Sequence, residues 1–228
     1  MARMRVVIVG AGGFAREVAY LLRELEAREP GRYEHVGYAV TDLSRLGPHD
    51  SLNEVLGDVS WLDAHRTSFD AFAMGIGTPA AKLRVSDLLL GQFPDKEYPA
   101  LVHPLARFER ASASMGRGVV VCDGVVGTVN LAFEDFAMVN LCCTLGHESV
   151  VGRGAVLNPT VNLSGGVRLS EGVLVGTGAQ VLQYVTVGAH ATIGAGAVVT
   201  KDVAAGETVV GVPAKPLQRA AAAPRGAS

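Results

Sequence analysis

A six-residue register governs the second half of this chain and leaves little freedom in what it can fold into. Stepping by six from Met115 meets Val121, Gly127, Phe133, Val139, Leu145, Val151, Leu157, Leu163, Leu169, Val175, Val181, Val187, Ile193 and Val199. Only Gly127 in that series lacks a large apolar side chain, and no insertion breaks the step. Four residues after each ladder position stands a smaller side chain, mostly Val, Ala, Ser or Cys, with Leu131 the bulkiest. The residue directly after is often glycine, as at Gly146, Gly152, Gly176, Gly188 and Gly194. A unit this short cannot bury its apolar face alone, so copies must stack to share a core. One short strand and one corner per hexapeptide, three hexapeptides to a turn, give a triangular prism with eighteen residues per coil. The strict step of six predicts an all-β C-terminal domain over 105–217, a left-handed parallel β-helix. Such a prism is by itself only a scaffold, so chemistry has to be argued from its side chains.

The first hundred residues follow another grammar. A short apolar strand, Arg5 to Val9, runs into Gly10-Ala11-Gly12-Gly13, and a helix follows with Phe14, Val18, Leu21, Leu22 and Leu25 on one face. A second strand, His35 to Val40, ends at Thr41-Asp42, and a third, Phe69 to Ile76, leads to Gly77-Thr78-Pro79. Thr78 as N-cap and Pro79 at the first helical position start a helix reaching about Gly91, and Tyr98 to Val102 reads as a further strand. The alternation predicts a small Rossmann-like α/β domain over 1–104, joined to the prism at His103-Pro104. Residues 218–228, rich in Ala, Pro, Arg and Gly, are expected to be a disordered tail.

Composition narrows the function classes. Twenty basic and 22 acidic residues, net charge −2, give no electrostatic footprint for nucleic acid or an anionic membrane. The apolar run Val6 to Val9 is too short for a signal-peptide core or a membrane span. Three cysteines, Cys122, Cys142 and Cys143, make no disulfide framework, and no His/Cys cluster suggests a metal site. They are expected to be buried small side chains in a reducing cytoplasm.

The ladder, with Gly194-Ala195-Gly196-Ala197-Val198-Val199-Thr200-Lys201-Asp202-Val203 and Gly211-Val212-Pro213-Ala214-Lys215, strongly resembles the hexapeptide-repeat acyltransferases. The resemblance implies the left-handed β-helix, an exception to the right-handed crossover rule. It also implies a homotrimer that binds acyl-CoA in grooves between neighbouring prisms. The N-terminal half narrows the match. Val9-Gly10-Ala11-Gly12-Gly13-Phe14-Ala15-Arg16-Glu17, Val36-Gly37-Tyr38, Asp42, Gly75-Ile76-Gly77 and Leu101-Val102-His103-Pro104 occur in the order of one subgroup. That subgroup acetylates nucleotide-linked amino sugars in bacterial surface-glycan synthesis, and its relatives include sialic acid O-acetyltransferases. The resemblance spans roughly residues 5 to 217.

Acetyl transfer from a thioester needs a base for the nucleophile's proton, a donor for the tetrahedral oxyanion, and a surface that holds CoA beside the acceptor. His147 lies two residues after a ladder position, which puts it on the coil rather than inside it, and imidazole exchanges protons near neutral pH. His147-Glu148 matches the subgroup's His-Glu/Asp pair, which implies His147 as general base with Glu148 orienting it. Asn140, seven residues earlier, matches an Asn near the reacting groups; eighteen further on stands Asn158. Thr144, Asn162 and Gln180 share another column and read as hydrogen-bonded corner polars. One departure stands out. Nine residues after the base the family commonly has a second His on the acetyl carbonyl, and here that position is Val156. The contact is therefore absent or supplied otherwise, by Asn158 or a backbone N–H.

For acetyl-CoA the matching positions are Gly165, Thr177 and Ala195. Lys201 and Lys215 are candidates for its phosphates or adenine surroundings, or else plain solvated charges. For the substrate they are Gly12, Gly13, Phe14, Asp42 and Gly77. Phe14 stands where some relatives have His, and Thr41 where many have Asp, which leaves the nucleotide and sugar open. The glycine-rich turn alone would equally suit a dinucleotide; the attached prism favours a nucleotide-sugar. His35, His49, His65 and His190 are expected on surfaces, and His103 is read as structural. The expectation is a cytoplasmic, metal-free, acetyl-CoA-dependent N-acetyltransferase, in which the amine attacks the thioester directly. O-acetylation of a sugar such as sialic acid would leave the same motifs. The missing second His also leaves open a non-catalytic nucleotide-sugar-binding scaffold, against which stands the intact Asn140, His147 and Glu148 set.

Overall fold

The computed structural model describes residues 3–217, and the expected tail from 218 lies outside the described residues. Four parallel strands, β1 (Met4–Val9), β2 (Tyr33–Ala39), β3 (Val55–Gly57) and β4 (Ala71–Met74), lie in the order β3-β2-β1-β4. Helix α1 (Gly13–Arg28) follows β1, α2 (Val59–Ala64) follows β3, and α3 (Pro79–Gln92) follows β4. The unbroken apolar run of β1 is explained by burial on both faces: Val6 and Ile8 pack with α1, and Val7 and Val9 with Leu89 and Phe93.

The prism has three faces. Face I includes Val120–Val121, Met138–Val139, Val156–Leu157, Leu174–Val175 and Thr192–Ile193. Face II holds Val126–Gly127, Thr144–Leu145, Asn162–Leu163, Gln180–Val181 and Val198–Val199. Face III holds Ser114–Met115, Ala132–Phe133, Val150–Val151, Arg168–Leu169 and Thr186–Val187. The second residue of each strand is the ladder residue, pointing inward, and from Phe133 to Val199 these are at most 3 % exposed. Partners along a face are eighteen residues apart, as in Val139↔Leu157 and Thr144↔Asn162. The result is a left-handed parallel β-helix attached to a parallel α/β sheet.

The corners explain the small residues and glycines. Ala155, Ala179, Ala191 and Ser149, each four after a ladder position, are wholly buried where the prism narrows. One residue earlier the chain turns through positive φ, at Gly118, Gly124, Gly154, Gly166, Gly172, Gly178 and Gly196. Glycine takes this conformation freely, whereas another residue costs roughly 1–2 kcal/mol there. Asn130, Phe136, Cys142, Glu148, Thr160, Tyr184 and His190 nevertheless occupy the same corner position.

At its ends the prism departs from the step of six. The strand expected in the α/β sheet, Tyr98 to Val102, joins the prism instead: Leu101–Val102 pairs with Val120–Val121 on face I, nineteen residues on. The backbone N–H groups of Leu101 and His103 donate to Val119 and Val121 carbonyls, so this segment is spent on the coil. At the other end Thr192 pairs with Thr208, two residues short of a full coil.

Face I is covered by the sheet's helices. Leu101, Val120 and Cys122 share a core with α1, and Tyr98 meets Phe136 edge-on at 5.7 Å between ring centroids. Against the corner between faces III and I, α3 lays Leu83 beside Gly154 and Gly172 and buries Lys82 beside Ala155. Arg153 spans this seam, paired with Asp87 of α3 and with Glu171 at 3.1 Å.

Candidate active site

His147 sits at the corner between faces II and III, half exposed, with its ring lying across Gly165 one coil further on. A Cβ at 165 would overlap the imidazole, so a side chain there would push the ring aside. Glu148 takes φ of 61° at the corner, and its Oε2 lies 3.8 Å from His147 Nδ1. That separation is an ion-pair distance rather than a hydrogen bond, so Glu148 stands near the ring without clamping it.

Asn140 is 7 % exposed and sits at the preceding corner, between faces I and II, where its Oδ1 accepts the Leu141 N–H at 2.8 Å. Asn158 stacks one coil above it, as the spacing of eighteen required. Thr177 and Ala195 follow on the same corner, and the Gly196 N–H donates to the Thr177 carbonyl at 2.8 Å. The corners that carry Asn140 and His147 thus flank face II, with its full width between them. Across that face Thr144 donates to Asn162 at 2.5 Å, and the Asn162 and Gln180 amides donate to the Thr160 and Gly178 carbonyls. These are the hydrogen-bonded corner polars expected from the column.

Lys201 falls on the His147 column, three coils on, and is exposed; Lys215 is exposed in a strand pairing with Thr208–Val210. Val156 is wholly buried on face I, across the prism from the corner that carries His147. Within one chain it faces away from whatever His147 touches.

The cysteines do not all behave as expected. Burial pushes the Cys122 thiol up to about 12 and the Cys143 thiol up to about 11. Cys142, however, is exposed, because it occupies a positive-φ corner that turns its side chain outward. His35 also departs from its expected surface place: it is partly buried against Tyr38, and burial lowers its pKa. His49, His65 and His190 are exposed, and His103 is buried with Nδ1 3.2 Å from Asp123.

A cleft of about 170 Å³ opens beyond the C-terminal ends of β1, β2 and β4, lined by Gly10, Ala11, Thr41, Asp42, Leu46, Asp50 and Ile76 among others. Strand order reverses between β1 and β4, and open α/β sheets bind ligands at such a switch point. Gly12 and Gly13 open α1 with no side-chain cap on its first N–H groups, and Phe14 faces Gly77 beside them. Asp42 lines the cleft, its Oδ1 accepting from Ser44 N and Oγ. Asp50 was not singled out from the sequence. It arrives because the 41–54 loop folds back, through Ser51 N–H to the Ala11 carbonyl and Arg16 to the His49 carbonyl. No motif signals that packing.

Five surface clefts stand out among the described residues, and His147 lines none of them. No group of His, Cys, Asp and Glu suited to a metal occurs among the described residues. No helix of the described residues is long and apolar enough to cross a membrane.

No protein-family model matches the chain, and no curated protein matches it. Solved structures do. The acetyltransferase domain of PglB from Neisseria gonorrhoeae FA1090 is 30% identical with a TM-score of 0.81, covering 94% of this chain and 100% of that one. PerB from Caulobacter crescentus, solved with CoA and GDP-perosamine, is 28% identical with a TM-score of 0.80, over 93% and 97%. WeeI from Acinetobacter baumannii AYE is 27% identical with a TM-score of 0.77, over 94% and 100%. Matched end to end in this way, with an unbroken hexapeptide prism behind a parallel α/β sheet, the chain belongs to the hexapeptide-repeat, left-handed β-helix acyltransferases, in the nucleotide-linked amino-sugar N-acetyltransferase subgroup.

Proposed function

We propose that the protein transfers an acetyl group from acetyl-CoA to the amino group of a nucleotide-activated amino sugar, in the cytoplasm and for surface-glycan synthesis. The observation that carries this reading is the pairing of an open imidazole on the prism with a cleft at the sheet's switch point, in a chain matching N-acetyltransferases along its length. The amine nitrogen attacks the thioester carbonyl carbon, and His147 accepts the proton the nitrogen loses. The tetrahedral oxyanion collapses, the C–S bond breaks, and the imidazolium returns the proton to the departing CoA thiolate. A direct attack agrees with the chemistry of Cys122 and Cys143, whose buried thiols resist ionisation.

The nucleotide's phosphates suit the uncapped start of α1 at Gly12 and Gly13, and hydroxyls of its ribose suit the carboxylates of Asp42 and Asp50. Asn140 at the neighbouring corner supplies polar groups near the reaction, with Asn158 stacked above it; Gly165, Thr177 and Ala195 present backbone to CoA, and Lys201 and Lys215 meet its phosphates. Because these residues flank face II without enclosing a cavity, the working site needs a second copy to close it. The exposed apolar side chains favour that face: Val126, Val129, Leu141, Leu182 and Tyr184, each 40 % exposed or more, lie on face II or its two corners. The assembly proposed is a homotrimer.

A thermal-shift panel of nucleotides and nucleotide-sugars, followed by CoA-release assays on the binders, tests the reading. A nucleotide amino sugar should raise the melting temperature and support turnover. Turnover only with sugar hydroxyls, or binding without any CoA release, would overturn it. Gly165→Ala should lower kcat about a hundredfold with the fold intact, by displacing the imidazole over that glycine. Activity within twofold of the parent would show that the ring's seat does not matter.

A further inference from the structure

We infer that the cleft at the N-terminal end of the prism binds a phosphate monoester carrying an apolar group, with Arg28, Arg32 and Arg110 holding the phosphate and Val102 and Met115 flooring the apolar part. The first coil has no rung beneath it. Val102 pairs with Val121 and Met115 with Phe133, so both point inward like the ladder residues that follow. Both nevertheless stay only partly buried against the prism core, as does Ala100. A solenoid end of this kind exposes core side chains unless something covers it. Leu25 and Arg28, in the last turns of α1, lie beside this end without closing it, and a cleft of about 410 Å³ remains between them. That is the size of a small-molecule site.

Charge on the rim selects the ligand. Arg28, Arg32 and Arg110 line the cleft with one carboxylate, Glu29, which leaves a net of two positive charges. Glu29 is already paired with Arg32 at 2.6 Å. Arg28 and Arg110 have no ion pair among the described residues. The Arg110 guanidinium carbon lies 4.4 Å from the centre of the Phe108 ring, and burial lowers its pKa with no carboxylate close enough to raise it. An anion arriving there would relieve a cost that the fold leaves standing. A phosphate monoester carries close to two negative charges at neutral pH, and the planar guanidinium fork matches its oxygens. A carboxylate or sulfonate brings only one charge, and inorganic phosphate has nothing to lay on the apolar floor.

The site is separate from the cleft at the sheet's switch point. Arg28 ends α1 and Gly13 begins it, roughly 22 Å apart at a rise of about 1.5 Å per residue. The reading of His147 does not enter.

Calorimetric titration of the full chain with hexyl phosphate, inorganic phosphate and hexanol tests the assignment. Hexyl phosphate should bind once per chain and about tenfold more tightly than inorganic phosphate, because part of its chain leaves water. Hexanol alone should not bind measurably. Arg28→Gln and Arg110→Gln should each weaken hexyl phosphate about tenfold, with melting temperatures close to the parent's. Arg84→Gln, at an exposed arginine of α3, should bind as the parent does. The two cleft variants lie on different segments, so either one that keeps its fold decides the matter. Unchanged affinity in a folded cleft variant would overturn the assignment. Equal affinity for inorganic phosphate would also overturn it, by leaving the apolar floor without a role. So would binding to vesicles of phosphatidic acid in phosphatidylcholine without binding to hexyl phosphate, which would assign the rim to a membrane surface.

Discussion

Replacing His147 with alanine should lower kcat by roughly three orders of magnitude while CoA affinity and melting temperature stay close to the parent's. The magnitude is that of removing a positioned base. The retained stability follows from the fold, because the side chain is half exposed and the residue's structural contribution is its carbonyl, which accepts the Gly166 N–H. Retention of CoA follows because Gly165, Thr177 and Ala195 offer backbone rather than side chains. Glu148→Gln should cost far less, about fivefold or under. The carboxylate stands 3.8 Å from the ring with both groups open to water, and an exposed pair of that kind is worth at most ~1 kcal/mol. Pre-steady-state CoA release with a saturating acceptor checks both. Alanine turnover within tenfold of the parent would remove His147 as the base, and a Glu148→Gln loss as large as that of alanine would mean that a neighbouring copy closes the pair into a hydrogen bond.

What was legible in the sequence tracks how local the physics is. The ladder residues, the small corner residues and the Thr144-Asn162-Gln180 column follow from a period of six alone, and each stands where the period puts it. The same period placed His147 on the coil and Asn158 above Asn140. It could not show that Asn140 and His147 sit on different corners with face II between them, since that depends on where each two-residue strand begins. Nor could it reveal that Val156 is buried on face I, across the prism from His147. Tyr98 to Val102 has the composition of a sheet strand, and only its pairing partner, Val120–Val121, makes Leu101–Val102 part of the prism. Asp50 entered the cleft through a loop whose fold is fixed by long-range backbone bonds, and Cys142 turned outward because its corner demanded positive φ. Misplaced expectations therefore cluster where tertiary packing, not periodicity, decides.

Lys82 sharpens that last point, because nothing in its sequence context distinguishes it from a surface lysine of a helix. Alpha-helix α3 instead carries it into the seam with the prism, 2 % exposed, with one long bond from Nζ to the Ala155 carbonyl at 3.4 Å. Burial lowers its pKa from 10.5 to about 7. The unfolded chain holds that proton up to about pH 10.5, so between 7 and 10.5 it binds more protons than the folded one. Stability therefore rises with pH through this window, and below pH 7, where the amine is charged in both states, the full cost of burying the ammonium is present. Lys82→Met, of similar length and apolar, removes the titrating group. It should stabilise the protein by up to roughly 4 kcal/mol at pH 6, or about 10 °C in melting temperature for a chain of this size. The advantage should shrink steadily between pH 7 and 10.5. Calorimetry of both proteins at pH 6, 8 and 10, at one protein concentration, reads the trend, and Lys82→Leu controls for the shape of the methionine. Kinetic parameters should move less than about twofold, since face I and its seam lie across the prism from His147. A constant difference between the two proteins at all three pH values would mean that the amine does not change its protonation across this range, and that its burial is relieved by water or by movement of α3.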